Sequence, residues 1–437
     1  MPAPAARQLH FNAFLYGTGH HTYGWRHPDS AADRVGDIRY LEELAQLAES
    51  GCLDAIFFAD GQNVAPEYSG GVTWFLEPVT ALSAIARATQ HIGLISTISA
   101  TFYTPFHAAR LMASLDHISG GRAGMNVVTS MFDAEARNHG MDALPPHAER
   151  YDRAEEFITA VTALWKSWDD GALSVDREAG RYLNAERIHS IDHHGTHFRV
   201  DGPLTVPRTP QGHPVIFQAG ASSTGRAFAA RHAEAIYSVA WDKDSALDYA
   251  KDMRSRIAGE GRDPSGVAIL PGLVTYIGAT HAEAMHKKRE VDAFVDIPAG
   301  IAQLEMFTGN TYGDHLLDDE VAPLAPVETF TGPHGRYLTV QRIIATQRPT
   351  LRELLGFLAA GGGHATFIGT PEQVANEIEE WFTSGACDGF NLMSPLYPRD
   401  LGDFVHEVIP ILQKRGLFRT EYLGTTLRET MGISIPS

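Results

Sequence analysis

The sequence predicts a single-domain (β/α)8 barrel over residues 1–437, with insertions at about 169–213 and 295–348. Three observations point there. Short apolar, β-rich runs alternate with longer segments of helical period, the pattern of a parallel sheet with crossover helices. Eight such pairs fit along 437 residues, a length within reach of one α/β barrel. Several runs also turn polar at their far ends, where barrel strands meet an active site. An open, doubly wound sheet with a different strand count is the alternative.

Residues 9–15 (LHFNAFL) form the first strand and 37–51 a helix closed by glycine. Residues 54–60 (DAIFFAD) with 77–89, and 92–100 (IGLISTISA) with 105–118, are the second and third pairs. The fourth strand is 122–130 (RAGMNVVTS), and its helix starts near Glu149, with Phe157, Ile158, Val161, Leu164, Trp165 and Trp168 on one face. The Gly-, His- and Pro-rich stretch 169–213 is too long for an ordinary connection and reads as an insertion with a small hairpin near 195–206. Strands 214–220, 234–240 and 267–278 follow, with helices at 223–233, 244–261 and from His281. After a second irregular region, 295–348, come a helix at 370–385, the eighth strand at 388–393 and a closing helix at 404–416.

A formal charge of −18 argues against wholesale binding to nucleic acid or anionic membrane. Cys52 and Cys387 read as buried free thiols, and the opening residues carry neither a secretory signal nor a membrane span, so a cytoplasmic protein is expected. The 21 histidines include no HExxH and no Cys/His zinc spacing, and no metal site is expected. No GxGxxG or GxxxxGK[ST] loop occurs.

The strand ends supply the candidate site: Asp60 after strand two, Ser96, Thr97 and Ser99 on strand three, Asn126, Thr129 and Ser130 on strand four, and Gln218-Ala219-Gly220 on strand five. The turn QAGASSTGRAF, from Gly220 through Ser222 and Ser223 into a helix, suits an anion such as a phosphate, although a plain Ser/Thr N-cap is the simpler reading. His20 and His21 follow strand one and are expected at the mouth, where a histidine can donate hydrogen bonds or shuttle protons.

Long motifs resemble one family. WRHP (25–28), LDHISGGRAGMNVVTS, ARNHG, ERYDRAEEF, QAGASSTGRAFAARHAE, ACDGFNLM and PILQKRGLFRTEY are similar to the flavin-dependent monooxygenases grouped with nitrilotriacetate, dibenzothiophene-sulfone and long-chain alkane monooxygenases, in the bacterial-luciferase superfamily. The likeness runs from about Asn12 to Tyr422. It implies a luciferase-like barrel that takes reduced FMN as cosubstrate from a separate NAD(P)H-dependent flavin reductase. With O2, a flavin hydroperoxide would then oxygenate a small organosulfur, amine, aminocarboxylate or hydrocarbon substrate. By the same resemblance Asp60 and Thr97 lie beside the isoalloxazine and ribityl chain, His147 and Tyr151 near the ribityl-phosphate end, and Ser222 or Ser223 on the phosphate. Asn126 and Ser130 are added as cofactor neighbours on strand geometry, and His20 and His21 are the expected catalytic histidines. A homo-oligomer is expected.

Two positions depart from some relatives, which place a histidine where this chain has Met131 and a His-Pro pair where it has Thr104-Pro105. The segment 306–320 (MFTGNTYGDHLLDDE) is expected to cover the pocket as a mobile lid. Two rival functions remain at this stage: a deazaflavin-dependent hydride-transfer enzyme of the same superfamily, and a non-catalytic flavin-binding protein.

Overall fold

The computed structural model describes residues 7–64, 70–71, 76–327, 330 and 334–435. Its main sheet holds, in chain order, β1 (His10–Leu15), β2 (Ala55–Phe58), β3 (Gly93–Ser99), β4 (Ala123–Val128), β5 (Val215–Gln218), β6 (Ala235–Ser238), β7 (Ala268–Ile277), β8 (Ala365–Gly369) and β9 (Gly389–Leu392). All pairings are parallel, and each strand from β1 to β7 pairs with the next. β7 then meets β9 at Gly272↔Asn391, and β9 returns to β1 at His10↔Gly389, so eight strands close a barrel and the open-sheet alternative falls. β8 stands outside that ring, paired only with the upper half of β7, from Leu273↔Ala365 to Ile277↔Gly369. The sequence reading missed it because ATFIG follows three glycines and is only five residues long.

The helices are α1 (Ile38–Ser50), α2 (Pro78–Ala88), α3 (Pro105–Ser119), α4 (Asp133–Asn138), α5 (His147–Trp165), α6 (Ser223–His232), α7 (Lys243–Gly259), α8 (His281–Asp292), α9 (Ile297–Thr308), α10 (His334–Gln347), α11 (Leu351–Ala359), α12 (Pro371–Thr383), α13 (Arg399–Asp403), α14 (Ile409–Lys414) and α15 (Leu427–Met431). α1 shows how they are specified. The Asp37 carboxylate accepts the Arg39 N–H at its start, and Tyr40, Leu41, Leu44, Ala45 and Ala48 form the buried face. α5 buries Phe157, Ile158, Val161, Leu164 and Trp165, the face read from its spacing. Each such side chain contributes about 1.5–3 kcal/mol by burial. The closing helix is interrupted: Phe404–Val408 makes one wide π turn before Pro410, whose ring removes a backbone donor.

Both insertions are more ordered than their composition suggested. The first holds two short antiparallel pairs, Leu173–Asp176 with Arg181–Leu183 and His193–His194 with Arg199–Val200. The expected hairpin near 195–206 is thus real but begins two residues earlier, and its partner at 173–183 was not read. The second, taken as irregular, contains α9 and α10. With α11 they enclose a separate apolar core of Leu304, Tyr312, Val321, Val340, Ile343, Ile344 and Leu355. Asp296 caps α9 and a left-handed Gly309 ends it; Pro298 and Gly300 had disguised its 297/301/304 period. Tyr312, inside the expected lid segment, is buried in this core.

The N-terminal end of the barrel is plugged by α15. A Cβ on Gly93 would lie 2.5 Å from Leu427 Cδ1, so the missing side chain makes room for the plug. Beside it, the fully buried Arg428 guanidinium uses all five N–H groups: on Glu234 (2.6 and 2.9 Å), on the His213 carbonyl and Nδ1 (3.2 and 3.0 Å), and on the Ser434 carbonyl (2.9 Å).

Candidate active site at the barrel mouth

Strand alternation sorts the polar strand-end residues. Ile95, Val215 and Phe217 face the barrel interior with Phe57, whereas Leu94, Ile98 and Met125 pack outward against the helices. Thr97, Ser99 and Asn126 therefore share the inner face. Ser96 falls on the outer face, between sheet and helices, and so does Gln218, whose strand neighbours Val127 and Ile236 pack outward; both leave the candidate site at the strand ends. Asn126 Nδ2 donates to Thr97 Oγ1 at 2.9 Å, while Asn126 Oδ1 is buried with no partner. Ser130, in the left-handed region at φ 59°, turns its hydroxyl to within 2.8 Å of Ser99 Oγ.

The two expected catalytic histidines part company. His20 sits against Phe14, ring centroids 4.7 Å apart, and its Nε2 lies 2.7 Å from the Phe14 carbonyl. That nitrogen must carry the hydrogen, which leaves Nδ1 as an acceptor. Burial pushes its pKa down to about 4, so the ring is neutral. His21 points elsewhere. Its Nδ1 accepts the Tyr23 N–H at 3.2 Å and its Nε2 faces Asp292 at 3.3 Å, a carboxylate also paired with Lys288. With both nitrogens engaged, His21 fastens α8 to the first loop and is not poised as a proton shuttle.

A second buried imidazole faces the mouth instead. His364 Nδ1 donates to the Gly361 carbonyl, so Nε2 is free to accept the Tyr237 O–H at 2.6 Å. Tyr237 Oη is also 3.4 Å from Met393 Sδ, and its ring packs edge-on against Phe14 at 5.8 Å. Burial lowers His364 to about 4 and raises the Tyr237 phenol. Neither was singled out from sequence. Tyr237 lies inside a strand read only for its apolar residues, and His364 follows the glycine run that also hid β8.

Beyond β2 the half-buried Asp60 carboxylate accepts from Gln62 Nε2 at 2.6 Å. Burial raises its pKa; the Gln62 bond opposes this and the nearby Glu77 and Glu135 add to it. Gln62 Oε1 in turn meets His139 Nε2 at 2.5 Å, and His139 stacks on Phe102 at 4.3 Å. Glu135 accepts the backbone N–H groups of Gln62, Met131 and Phe132, which ties α4 to this cluster. Met131 leaves its side chain 77% exposed.

After β5 the chain makes the expected turn. Ser222 caps α6 by accepting the Gly225 N–H at 3.0 Å, and Ser222, Ser223 and Thr224 are exposed at the helix start. A Cβ on Gly225 would stand 2.8 Å from Tyr151 Oη and 3.0 Å from Gly220 Cα. Only glycine at Gly225 lets α5 and the turn approach so closely. The exposed His147 lies 4.9 Å from the Tyr151 ring. Gln218 Oε1 is buried without a partner at the base of this turn. His147, Tyr151, Gly220, Ser222 and Ser223 therefore form one group, and Thr97 with Asn126 a second on the adjoining strands.

A cavity of about 740 Å³ lies at the opposite, N-terminal end, lined by Arg7, His10, Arg254, Asp388 and Ile433. Its arginines are already paired with Asp388, at 2.9 Å for Arg7 and 2.8 Å for Arg254. Among the described residues no group of three or more His, Cys, Asp or Glu is placed to hold a metal ion, and no helix is long and apolar enough to cross a membrane. Cys52, half-buried, and Cys387, buried, are both free thiols.

With this geometry in hand, comparison with known proteins is informative. A family model described as luciferase-like monooxygenase matches residues 14–387. The N-acetyl-S-(2-succino)cysteine monooxygenase of Bacillus subtilis (strain 168) is 42% identical over 98% of both chains. Nitrilotriacetate monooxygenase component A of Aminobacter aminovorans is 40% identical over 99% of this chain and 98% of its own. Among solved structures, a riboflavin lyase crystallised with modified FMN and riboflavin superposes with a TM-score of 0.85 at 30% identity, covering 98% of this chain and 96% of that one.

Proposed function

The chain belongs to the luciferase-like monooxygenase family, and from that premise we propose that it is the oxygenase component of a two-component system, using reduced FMN supplied by a separate NAD(P)H-dependent flavin reductase. The relative named component A supports the division of labour, and the relative crystallised with modified FMN supports the choice of flavin.

The residues present fit that cofactor. Asn126 Oδ1 is a buried acceptor without a donor, an arrangement that costs about 1–3 kcal/mol unless a ligand supplies the missing hydrogen. The ribityl hydroxyls of FMN are such donors. The observation that carries the reading is the start of α6, where Ser222, Ser223 and Thr224 stand exposed beside the Tyr151 hydroxyl. Backbone N–H groups and the positive helix end there are suited to a phosphate. On this reading Ser222, Ser223, Tyr151, His147 and Gly220 hold the phosphate end, while Thr97, Asn126, Ser130 and Asp60 line the path to the ring.

When bound, reduced FMN supplies the electrons that activate O2, so that one oxygen atom enters a small organic substrate and the other leaves as water. The protein orients and shields. Phe14, Phe57 and Phe217 make an apolar floor that excludes water beneath the ring site. Neutral His20, with Nε2–H committed to Phe14, offers a hydrogen-bond acceptor at Nδ1 and does not act as the acid. Tyr237, whose hydrogen is committed to His364, keeps its oxygen as an acceptor in the same chamber.

Anaerobic titration with photoreduced FMN, with reduced deazaflavin in parallel, tests the proposal. Reduced FMN is expected to bind more tightly than either oxidised FMN or the deazaflavin, and admission of O2 should then give slower flavin reoxidation than in free solution. Failure to bind reduced FMN would end this reading; preference for the deazaflavin would replace it with hydride transfer.

A further inference from the structure

Among the described residues, one cation at the mouth has no carboxylate paired with it. Arg336, on α10, donates from Nη1 to the Gly362 carbonyl at 2.6 Å, and its Cζ lies 5.5 Å from the Phe307 ring. No carboxylate pairs with it among the described residues, and its Nε and Nη2 groups have no hydrogen-bond partner there. The side chain remains solvent-accessible, yet protein surrounds it closely enough for burial to lower its pKa. Its place is fixed by its neighbours. Gly362 belongs to the loop that positions His364, and the guanidinium charge is felt by both Tyr237 and His364.

Other arginines of this molecule show what such a group ordinarily does. Arg226, Arg231, Arg254 and Arg342 each meet a carboxylate within 3.0 Å, and Arg122, which has none, spends its five donors on Thr89 Oγ1 and on four backbone carbonyls, those of Ala86, Thr89, Ile92 and Ser119. Arg336 does neither, as is also true of Arg26 and Arg153, each with one backbone carbonyl and one aromatic ring; what sets Arg336 apart is its place beside the loop that carries His364. A partly desolvated guanidinium with spare donors gains by meeting an anion, and its planar edge matches a carboxylate through two parallel N–H···O bonds.

We propose that Arg336 is the specificity-determining residue of the substrate chamber and that the substrate carries a carboxylate, bound by Arg336 at the mouth while the rest of the molecule reaches down past Tyr237. The proposal rests on the reading of this mouth as a monooxygenase site. It assigns α10, and with it the second insertion, the task of choosing substrates by charge.

The test uses the full-length protein and matched probes: acetate, succinate, glutarate and thiodiglycolate against their neutral amides, each titrated by calorimetry and thermal shift, with methanesulfonate as a second anion. At least one carboxylate should bind tenfold or more tightly than its amide and more tightly than the sulfonate. The preference should vanish in Arg336→Gln and partly survive in Arg336→Lys. If no carboxylate binds better than its amide in the unaltered protein, or if the preference survives Arg336→Gln, the proposal is overturned. A sulfonate that binds more tightly than every carboxylate overturns the carboxylate assignment. FMN titration of the same samples reports separately: loss of FMN binding with an intact carboxylate preference would sink the flavin reading alone.

Discussion

The two ends of the barrel differ in how their arginines are paired. At the N-terminal end the arginines are saturated. Arg122 and Arg428 each use five N–H donors, and Arg419 reaches Asp54 at 2.6 Å and the carbonyls of Cys52 and Thr430. At the C-terminal mouth Asn126 keeps an orphaned acceptor and Arg336 holds a single hydrogen bond among the described residues. The first end has every reason to stay shut, and the second has bonding capacity left for something else. On the proposed function, stability and chemistry fall to opposite rims of one sheet.

The sharpest way to break this contrast is at Arg428. Arg428→Ala leaves the partly buried Glu234 with only the Ile216 N–H and should cost about 3–5 kcal/mol in urea denaturation. Folded Arg428→Ala should still bind reduced FMN normally. A loss below about 1 kcal/mol would mean that the lower end is not the anchor claimed here.

Acid titration follows in size and marks where the contrast stops. His213, below, and His364, above, are both buried, and burial lowers each to about 4. For a histidine depressed in this way the stabilising neutral form is complete above the unfolded value of about 6.5. The stability it confers is lost progressively as pH falls toward 4, because only the unfolded chain takes up the proton in that window. Each imidazole should contribute about 2–3 kcal/mol across it. His213→Gln and His364→Gln should each flatten the slope of stability against pH by about one proton; if only one does, the ends differ in protonation as well as in pairing.

The smallest effects belong to the mouth. Tyr151→Phe and Ser222→Ala should each weaken FMN binding by ~1 kcal/mol, or somewhat more if the bond is charge-assisted. Ser222→Ala also removes the α6 cap and should cost a further ~1 kcal/mol of stability, whereas Tyr151→Phe should leave stability nearly unchanged. Unchanged FMN affinity in both variants would remove the phosphate assignment.

The barrel was legible because its signals are local: an apolar run of four to seven residues followed by a capped amphipathic helix writes each unit into contiguous sequence. Four of the eight closing strands, the second to the fifth, carry or lead into polar residues that could be read directly. What stayed hidden was set by distance along the chain. Strand β8 has a partner on only one edge, and α9 and α10 bury their apolar faces against each other and α11, so neither composition nor flanking turns announced them. His20 and His21 are adjacent in sequence, but only tertiary contacts, Phe14 for one and Asp292 for the other, separate an inward ring from an outward one. Tyr237, His364 and Arg336 come from three distant segments, and nothing in any one of them signals the meeting.

The closure of the ring through β9 has a temporal side. β1 is made before every other strand of the barrel, yet one of its edges waits for 389–392, and the throat of the sheet waits further for Leu427. Until then a growing chain carries a bare strand edge on β1, a half-covered one on β7 and an unfilled apolar throat, the features that invite pairing with the wrong molecule. Production of this protein should therefore be limited by how long the nascent chain is held soluble, and coexpressed chaperones should raise its yield more than stabilising substitutions at the mouth.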